Sequence, residues 1–327
     1  MCHFFSCILD KKGKIYYDPF IDQHDELIQK FKLKTKDDSK SWVRIECHPE
    51  NNDVFDKKIK NWLVKVDENT IPEWYERQKK SLYEPLVLKT VQKLIKKMVL
   101  INKKIDVIDD NNRYFIKDCN INVIKNMTIL QIMAGNSQVG VLWDNSKVGV
   151  LQDNSQVGEL LDNSQVGELR ENSQVGVLQG NSQVGVLRDN SKVGVLRENS
   201  QVGELLDNSQ VGVLLDNSKV GVLQGNSKVG ELQGNSKVGV LQGNSQVGVL
   251  WDNSQVGELQ GNSKVGVLRE NSQVGELWDN SKVGELHDFS LIQKYSGTAI
   301  IKKICNDAII IDRTNKKILV NKKEIDY

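Results

Sequence analysis

Asn136-Ser137-Gln138-Val139-Gly140-Val141-Leu142-Trp143-Asp144 is followed directly by Asn145-Ser146-Lys147-Val148-Gly149-Val150-Leu151-Gln152-Asp153, and the nine-residue unit recurs without a gap to Asp288. There are 17 copies. Asn, Ser, Val, Gly and Leu hold positions 1, 2, 4, 5 and 7 in all of them. Position 3 is Gln or Lys, position 6 Val or Glu, position 8 Gln, Arg, Trp, Leu or His, and position 9 Asp, Glu or Gly. A helix advances about 100° per residue, so nine residues end half a turn out of phase and no apolar stripe forms. Glycine and asparagine in every unit oppose a helix further. Two invariant aliphatics per unit are too apolar for a disordered chain. Short strands with a corner in each unit remain, and the pattern predicts a β-solenoid (β-helix) with two units per 18-residue coil.

The variable positions orient the side chains. Glutamate recurs at position 6 and cannot be buried unpaired in each of those copies. Positions 3, 6 and 8 therefore face solvent, while Ser at 2, Val at 4 and Leu at 7 face inward. Strict alternation would place 4 and 6 on one side, so it breaks between 4 and 7, and the glycine at 5 permits a bulge or corner there. The junction of positions 9 and 1 is read as the second corner, with Asn taking the left-handed conformation. Stacking sets Asn over Asn and Val over Val, and eight and a half coils at about 4.8 Å each give a rod of about 40 Å.

Outward from the array, residues 101–135 read as degenerate capping coils, with 118–126 and 127–135 keeping apolar residues but losing the consensus. Residues 289–327 read as carboxy-terminal cap strands, around Ala299–Ile301, Ala308–Ile311 and Ile318–Val320. Lysines 316, 317, 322 and 323 there oppose edge-to-edge stacking. The expected fold class is thus mainly β, a solenoid over 136–288 preceded by a small α+β head over residues 1–100. In the head, Cys2–Leu9 and Lys14–Tyr17 flank a Lys11-Lys12-Gly13 turn and suggest a hairpin. Asp22–Phe31 suggests a helix, and Trp42–Cys47 and Trp62–Val66 suggest strands. Thr70-Ile71-Pro72-Glu73 has a capping-box pattern, opening a helix that is interrupted near Pro85 and resumes over Val91–Val99.

The chain has 327 residues and a net charge of +1, so no overall charge draws it to nucleic acid or membrane. The repeats are acidic and the flanks basic. Five scattered cysteines do not make a disulfide scaffold. No apolar run reaches the roughly 18 residues of a membrane span, and the first residues lack a signal-peptide pattern. A cytoplasmic protein without a cofactor is expected.

Three segments of the head carry a resemblance: Met1-Cys2-His3-Phe4-Phe5-Ser6-Cys7, Trp42-Val43-Arg44-Ile45-Glu46, and Val66-Asp67-Glu68 followed by Ile71-Pro72-Glu73-Trp74-Tyr75. Over roughly residues 1–80 the chain resembles a group of uncharacterised, phage-associated proteins that share these motifs and carry diverse repeats behind them. The resemblance implies a phage or prophage origin and a head followed by an expandable repeat. It implies no activity.

Several constellations suggest chemistry. Cys2, freed by methionine removal, would be an amino-terminal nucleophile with its own amine as base, and His3 lies beside it. The Lys-Gly-Lys turn after a first strand is similar to the opening hairpin of amino-terminal nucleophile hydrolases, but their other motifs are missing. Cys2, Cys7, Cys47 and His48 would converge as metal ligands if the first strand pairs antiparallel with Trp42–Cys47, although neighbours in a strand point to opposite faces. Lys93, Lys96 and Lys97, with Lys89, give a helix a basic face that suits nucleic acid or an acidic partner. Trp143, Trp251 and Trp278, at position 8, offer a protein-contact surface. The glycine-aspartate turn of calcium β-rolls and the threonine ranks of ice-binding rods are missing from the repeats. Excess acidic charge allows nucleic-acid mimicry, with Lys and Arg interrupting the acidic ranks. The expected role is a non-enzymatic structural or interaction protein with a protein partner; the alternatives are an enzyme or metal module using Cys2 and His3, and a nucleic-acid mimic.

Overall fold

The computed structural model describes residues 4–33, 41–295, 298–305, 307–312, 316–320 and 323–326, the last four by backbone alone. The chain divides into two compact units: residues 1–101 with 112–116, and 102–111 with 117–327.

The first unit is built on a four-stranded antiparallel sheet of β1 (Phe5–Asp10), β2 (Ile15–Tyr16), β3 (Trp42–Pro49) and β4 (Trp62–Val66), in the order β2-β1-β3-β4. Period-two alternation gives the sheet two apolar faces. Ile8 looks one way and is covered by Leu27 and Ile28 of helix α1 (His24–Lys30), with Tyr16, Phe31 and Trp42 around them. Cys7, Leu9, Val43, Ile45 and Cys47 look the other way and are fully buried. Helix α2 (Glu73–Gln78), a π-helical turn (Lys79–Tyr83) and helix α3 (Glu84–Met98) follow. α3 lies against β4 and buries Val87, Val91, Ile95 and Met98 on one stripe. Arg113, from the chain's return to this unit, reaches Asp22 at 2.8 Å and the Pro19 carbonyl at 3.2 Å.

Two expectations for this unit need correction. Thr70 does not cap α2: Pro72 is the residue before the helix, and no side chain bonds the free amides there. Pro fixes its φ near the value this entry needs, so the turn forms without a cap. The interruption between the two helical stretches is the π turn, which lies before Pro85; Pro85 itself sits in the first turn of α3, where a missing N–H costs nothing.

The second unit is a β-solenoid of about 12 turns. One parallel sheet has 12 strands, from Lys104–Ile108 through Asn120–Ile124 and Gln138–Leu142 to Ile300–Ile304. The other alternates with it along the chain, from Ile129–Ala134 and Lys147–Leu151 to Ile309–Asp312, and ends in the antiparallel strands Lys317–Val320 and Lys323–Asp326. Each unit supplies one five-residue strand, positions 3 to 7. The ladders join residues 18 apart, Val139 to Val157 and Leu142 to Leu160, so two units make one coil. Ser at position 2, Val at 4 and Leu at 7 are 0–2% exposed in every copy. Positions 3, 6 and 8 are not buried in any copy. Inward and outward positions are therefore those expected.

The glycine at position 5 interrupts the alternation within a continuous strand. The ladder pairs residues on either side of it but skips the glycine itself. A Cβ on Gly203 would stand 2.5 Å from the backbone oxygen of Gly185, one coil earlier, and the same contact repeats along the stack.

The other corner differs from expectation. The left-handed residue is at position 9, not the asparagine: Asp144, Glu171 and Gly180 have φ of 61°, 58° and 75°. The position-8 carbonyl accepts the N–H of position 2, as Leu161 does from Ser164 at 3.1 Å, and the residue immediately after that carbonyl makes the reversal. Asparagine instead stacks its side-chain amide on the coil before, Asn226 Nδ2 donating to Asn208 Oδ1 at 3.3 Å. Asp at position 9 also bonds between coils: Asp216 accepts the Glu198 N–H at 3.0 Å, and Asp252 the Gly234 N–H at 2.8 Å.

Gly203→Ala is expected to destabilise the full chain by about 1–3 kcal/mol through overpacking against backbone, read as a lower urea midpoint of the far-ultraviolet circular dichroism signal. An unchanged midpoint would refute the close-stacking role of position 5.

Candidate functional site

Three places gather polar side chains. The first is the outer surface of the solenoid. On the 12-stranded sheet a groove of about 1130 Å³ runs over the glycine column. Its floor is backbone, and position-3 side chains line it, among them Lys192, Lys228, Lys264 and Lys282. A smaller groove of about 550 Å³ follows the glycines of the other sheet.

Beside the strands, positions 6 and 8 interact. Glu168 meets Arg170 of its own unit and Arg188 of the next coil, both at 2.6 Å. The Arg170 hydrogen bond, then the charges of both arginines, hold the Glu168 carboxyl below its ordinary range. Trp143 is exposed, at 47%. Trp251 and Trp278 are half-buried beneath cations: the Arg269 guanidinium lies 4.9 Å from the Trp251 ring and the Lys294 ammonium 4.0 Å from the Trp278 ring. Of the three tryptophans expected to form a contact surface, one is freely presented and two are roofed by the following coil. Trp143 and Trp251 belong to one corner, Trp278 to the other.

Position 9 stacks into a column at each corner. One contains Asp144, Asp162, Glu198, Asp216, Asp252, Glu270 and Asp288, broken only by Gly180 and Gly234. Within these columns no Lys or Arg intervenes, because the basic residues stack at positions 3 and 8; it is the position-6 acids that meet them, as Glu168 meets Arg170 and Arg188. Neighbouring carboxyls feel one another. Burial and a hydrogen bond with Asp153 push the Glu171 carboxyl up, and a hydrogen bond with Asp252 followed by burial does so for Glu270.

The second place is the cysteine-bearing side of the head sheet. Antiparallel pairing sets Phe5 opposite Cys47 and Cys7 opposite Ile45, so the two thiols share a face as diagonal neighbours. His48 does not join them: it follows Cys47 in the same strand, faces the opposite side and bonds the Pro49 carbonyl through Nδ1 at 3.1 Å. Burial, then the neighbouring Cys47, pushes the Cys7 thiol well up, and burial pushes Cys47 up to about 12. Cys2 and His3 lie outside the described residues. Lys89, Lys93, Lys96 and Lys97 are all exposed on α3, opposite its buried stripe.

The third place was not evident from the sequence. His24, Glu46 and Asp67 offer ligand atoms within 4.8 Å of one another. They come from the start of α1, the middle of β3 and the residue after β4, and only the strand pairing brings them together.

No family model matches this chain, and no curated protein or solved structure matches it either. Among the described residues, no helix is long and apolar enough to cross a membrane.

Two measurements check these environments. Cys7 and Cys47 should resist iodoacetamide at pH 7.5 in the folded chain and react after denaturation, because the thiolate is the attacking form and burial disfavours it; peptide mass spectrometry reads this, and fast labelling of the native protein would refute it. A carboxyl raised by folding binds its proton more tightly in the folded chain, so it weakens folding above that range, and the penalty fades as pH falls through its folded value. The double substitution Glu171→Gln, Glu270→Gln should therefore raise the melting temperature at pH 8, and the gain should shrink at pH 4.

Proposed function

We propose that this chain is a non-enzymatic interaction protein, encoded by a phage or prophage and acting in the cytoplasm, that joins a small head to a repeat rod serving as a scaffold for contacts with a protein partner. One observation carries the reading. The invariant residues of the nine-residue repeat are those that fill the core or set the stacking, while the variable positions 3, 6 and 8 all lie outside. A scaffold whose fold does not depend on its surface residues is free to vary them for contact. The phage origin rests on the motifs in Met1–Cys7, Trp42–Glu46 and Val66–Tyr75.

The acidic corner columns favour a second reading, mimicry of a nucleic-acid backbone, in which the partner is a protein that ordinarily binds phosphates. Native mass spectrometry of full-length protein purified from its own host separates the two. The parent should carry a protein partner. Trp143→Gln with Trp251→Gln and Trp278→Gln should lose it under the first reading. Asp144→Asn with Asp162→Asn and Asp216→Asn should lose it under the second. Recovery unaffected by either set, or a bare chain in every case, would overturn the contact role of the rod.

A further inference from the structure

We propose that His24, Glu46 and Asp67 form a binding site for one divalent transition-metal ion, of the Zn²⁺ or Mn²⁺ type, in the head. His24 is the first residue of α1 and only 8% exposed. Its Nε2 lies 3.2 Å from the Ile45 carbonyl oxygen. That contact fixes the ring and places the proton on Nε2, leaving Nδ1 as the nitrogen that faces the carboxylates. A histidine that gives its remote N–H to a backbone carbonyl is the usual outer-shell arrangement of a metal ligand.

The separation of His24 and Asp67 suits an ion. Nδ1 of His24 and Oδ2 of Asp67 are 3.2 Å apart. Bonds of about 2.1 Å to one tetrahedral or octahedral ion place adjacent ligand atoms about 3.0–3.4 Å apart. Glu46 adds the third ligand from the strand that also supplies the Ile45 carbonyl. One nitrogen and two carboxylates form a borderline-hard set, which selects Zn²⁺, Mn²⁺ or Fe²⁺ over thiol-seeking Cu⁺. The Asp67 side chain is 54% exposed, so an ion can enter and water can complete its shell.

Two cations among the described residues lie near the site. Arg44, on the same face of β3, is paired with other carboxylates: its Nη2 bonds Asp25 at 2.8 Å and its Nε lies 3.9 Å from Glu68. Lys65, opposite Glu46 in the β3–β4 pair, is exposed and is a cation with which an ion would compete.

The test uses the full chain after chelator treatment, titrated with ZnCl₂ and separately with MnCl₂ by calorimetry at pH 7. The parent should bind one more ion than Asp67→Asn or Glu46→Gln, or bind it at least about tenfold more tightly. Both substitutions are isosteric, and the Asp67 side chain lies largely in solvent, so folding should survive; circular dichroism of the metal-free variants checks this. Metal should also raise the melting temperature of the parent and not of Asp67→Asn. Zinc bound by thiols elsewhere would appear equally in parent and variants. Equal stoichiometry and affinity in parent and variants, or no binding of either ion at 100-fold molar excess over protein, would overturn the site.

Discussion

The solenoid depends on how closely one glycine approaches another. The carbonyl oxygen of each position-5 glycine stands where the Cβ of the residue 18 positions later would be, 2.3–2.6 Å from it. The bend that turns Val and Leu inward from a single strand, with one outward and one half-exposed residue between them, brings the two backbones that near. Within the regular stack a side chain there would meet that oxygen unless the backbone shifted. In the degenerate coils the equivalent places hold Asn122, Gln131, Gln293 and Lys302, so the demand belongs to the regular stack. With the bend fixed, Ser, Val and Leu fill the interior, and what stands outside is left to other pressures.

The corners solve a second problem with different chemistry. A left-handed residue at position 9 costs a non-glycine residue about 1 kcal/mol or more. Glycine avoids that cost. Aspartate offsets it by accepting an N–H from the preceding coil's position 9, a bond that glycine cannot make. The alternation between Gly and Asp at this position is therefore a choice between two ways of meeting one constraint. Its by-product is an anionic column, in which the Glu171 carboxyl is pushed up by burial and by Asp153, and that of Glu270 by Asp252 and burial.

Much of this was legible in the sequence, because 17 near-identical copies expose which positions are constrained. Glutamate at position 6 identified the outside, and the invariant Ser, Val and Leu identified the inside. The corner was misread through propensity: asparagine tolerates the left-handed region well, so it drew the assignment. The decisive signal was substitution. Gly appears at position 9 and never at position 1, and only a left-handed position makes Gly interchangeable with Asp. In the head, the antiparallel neighbourhood of Cys7 and Cys47 followed from strand alternation, but Cys2 and His3 lie outside the described residues. The convergence of residues 24, 46 and 67 was hidden, since each belongs to a different element and no local spacing links them. The capping-box pattern at Thr70 failed because Pro72 already supplies the backbone angle that starts α2.

The coil length adds one consequence for how such an array changes size. Two consecutive units carry the same consensus but sit in opposite sheets, so the two sheets are interchangeable in sequence. Gain or loss of one nine-residue unit moves every later strand to the other sheet and leaves Val over Val, Leu over Leu and Gly over Gly. A change whose length is not a multiple of nine would take Val from over Val and Leu from over Leu and would place side chains on the glycine carbonyls. The array can thus lengthen by single units with no loss inside, while the surface columns are reshuffled. Residues that met along one face, such as Glu168 and Arg188, keep their partners on either side of the insertion but lose those across it. Core and stacking therefore tolerate unit duplication where the pattern of outward charges does not, which is the property expected of a rod whose interior is fixed and whose exterior is free to diverge.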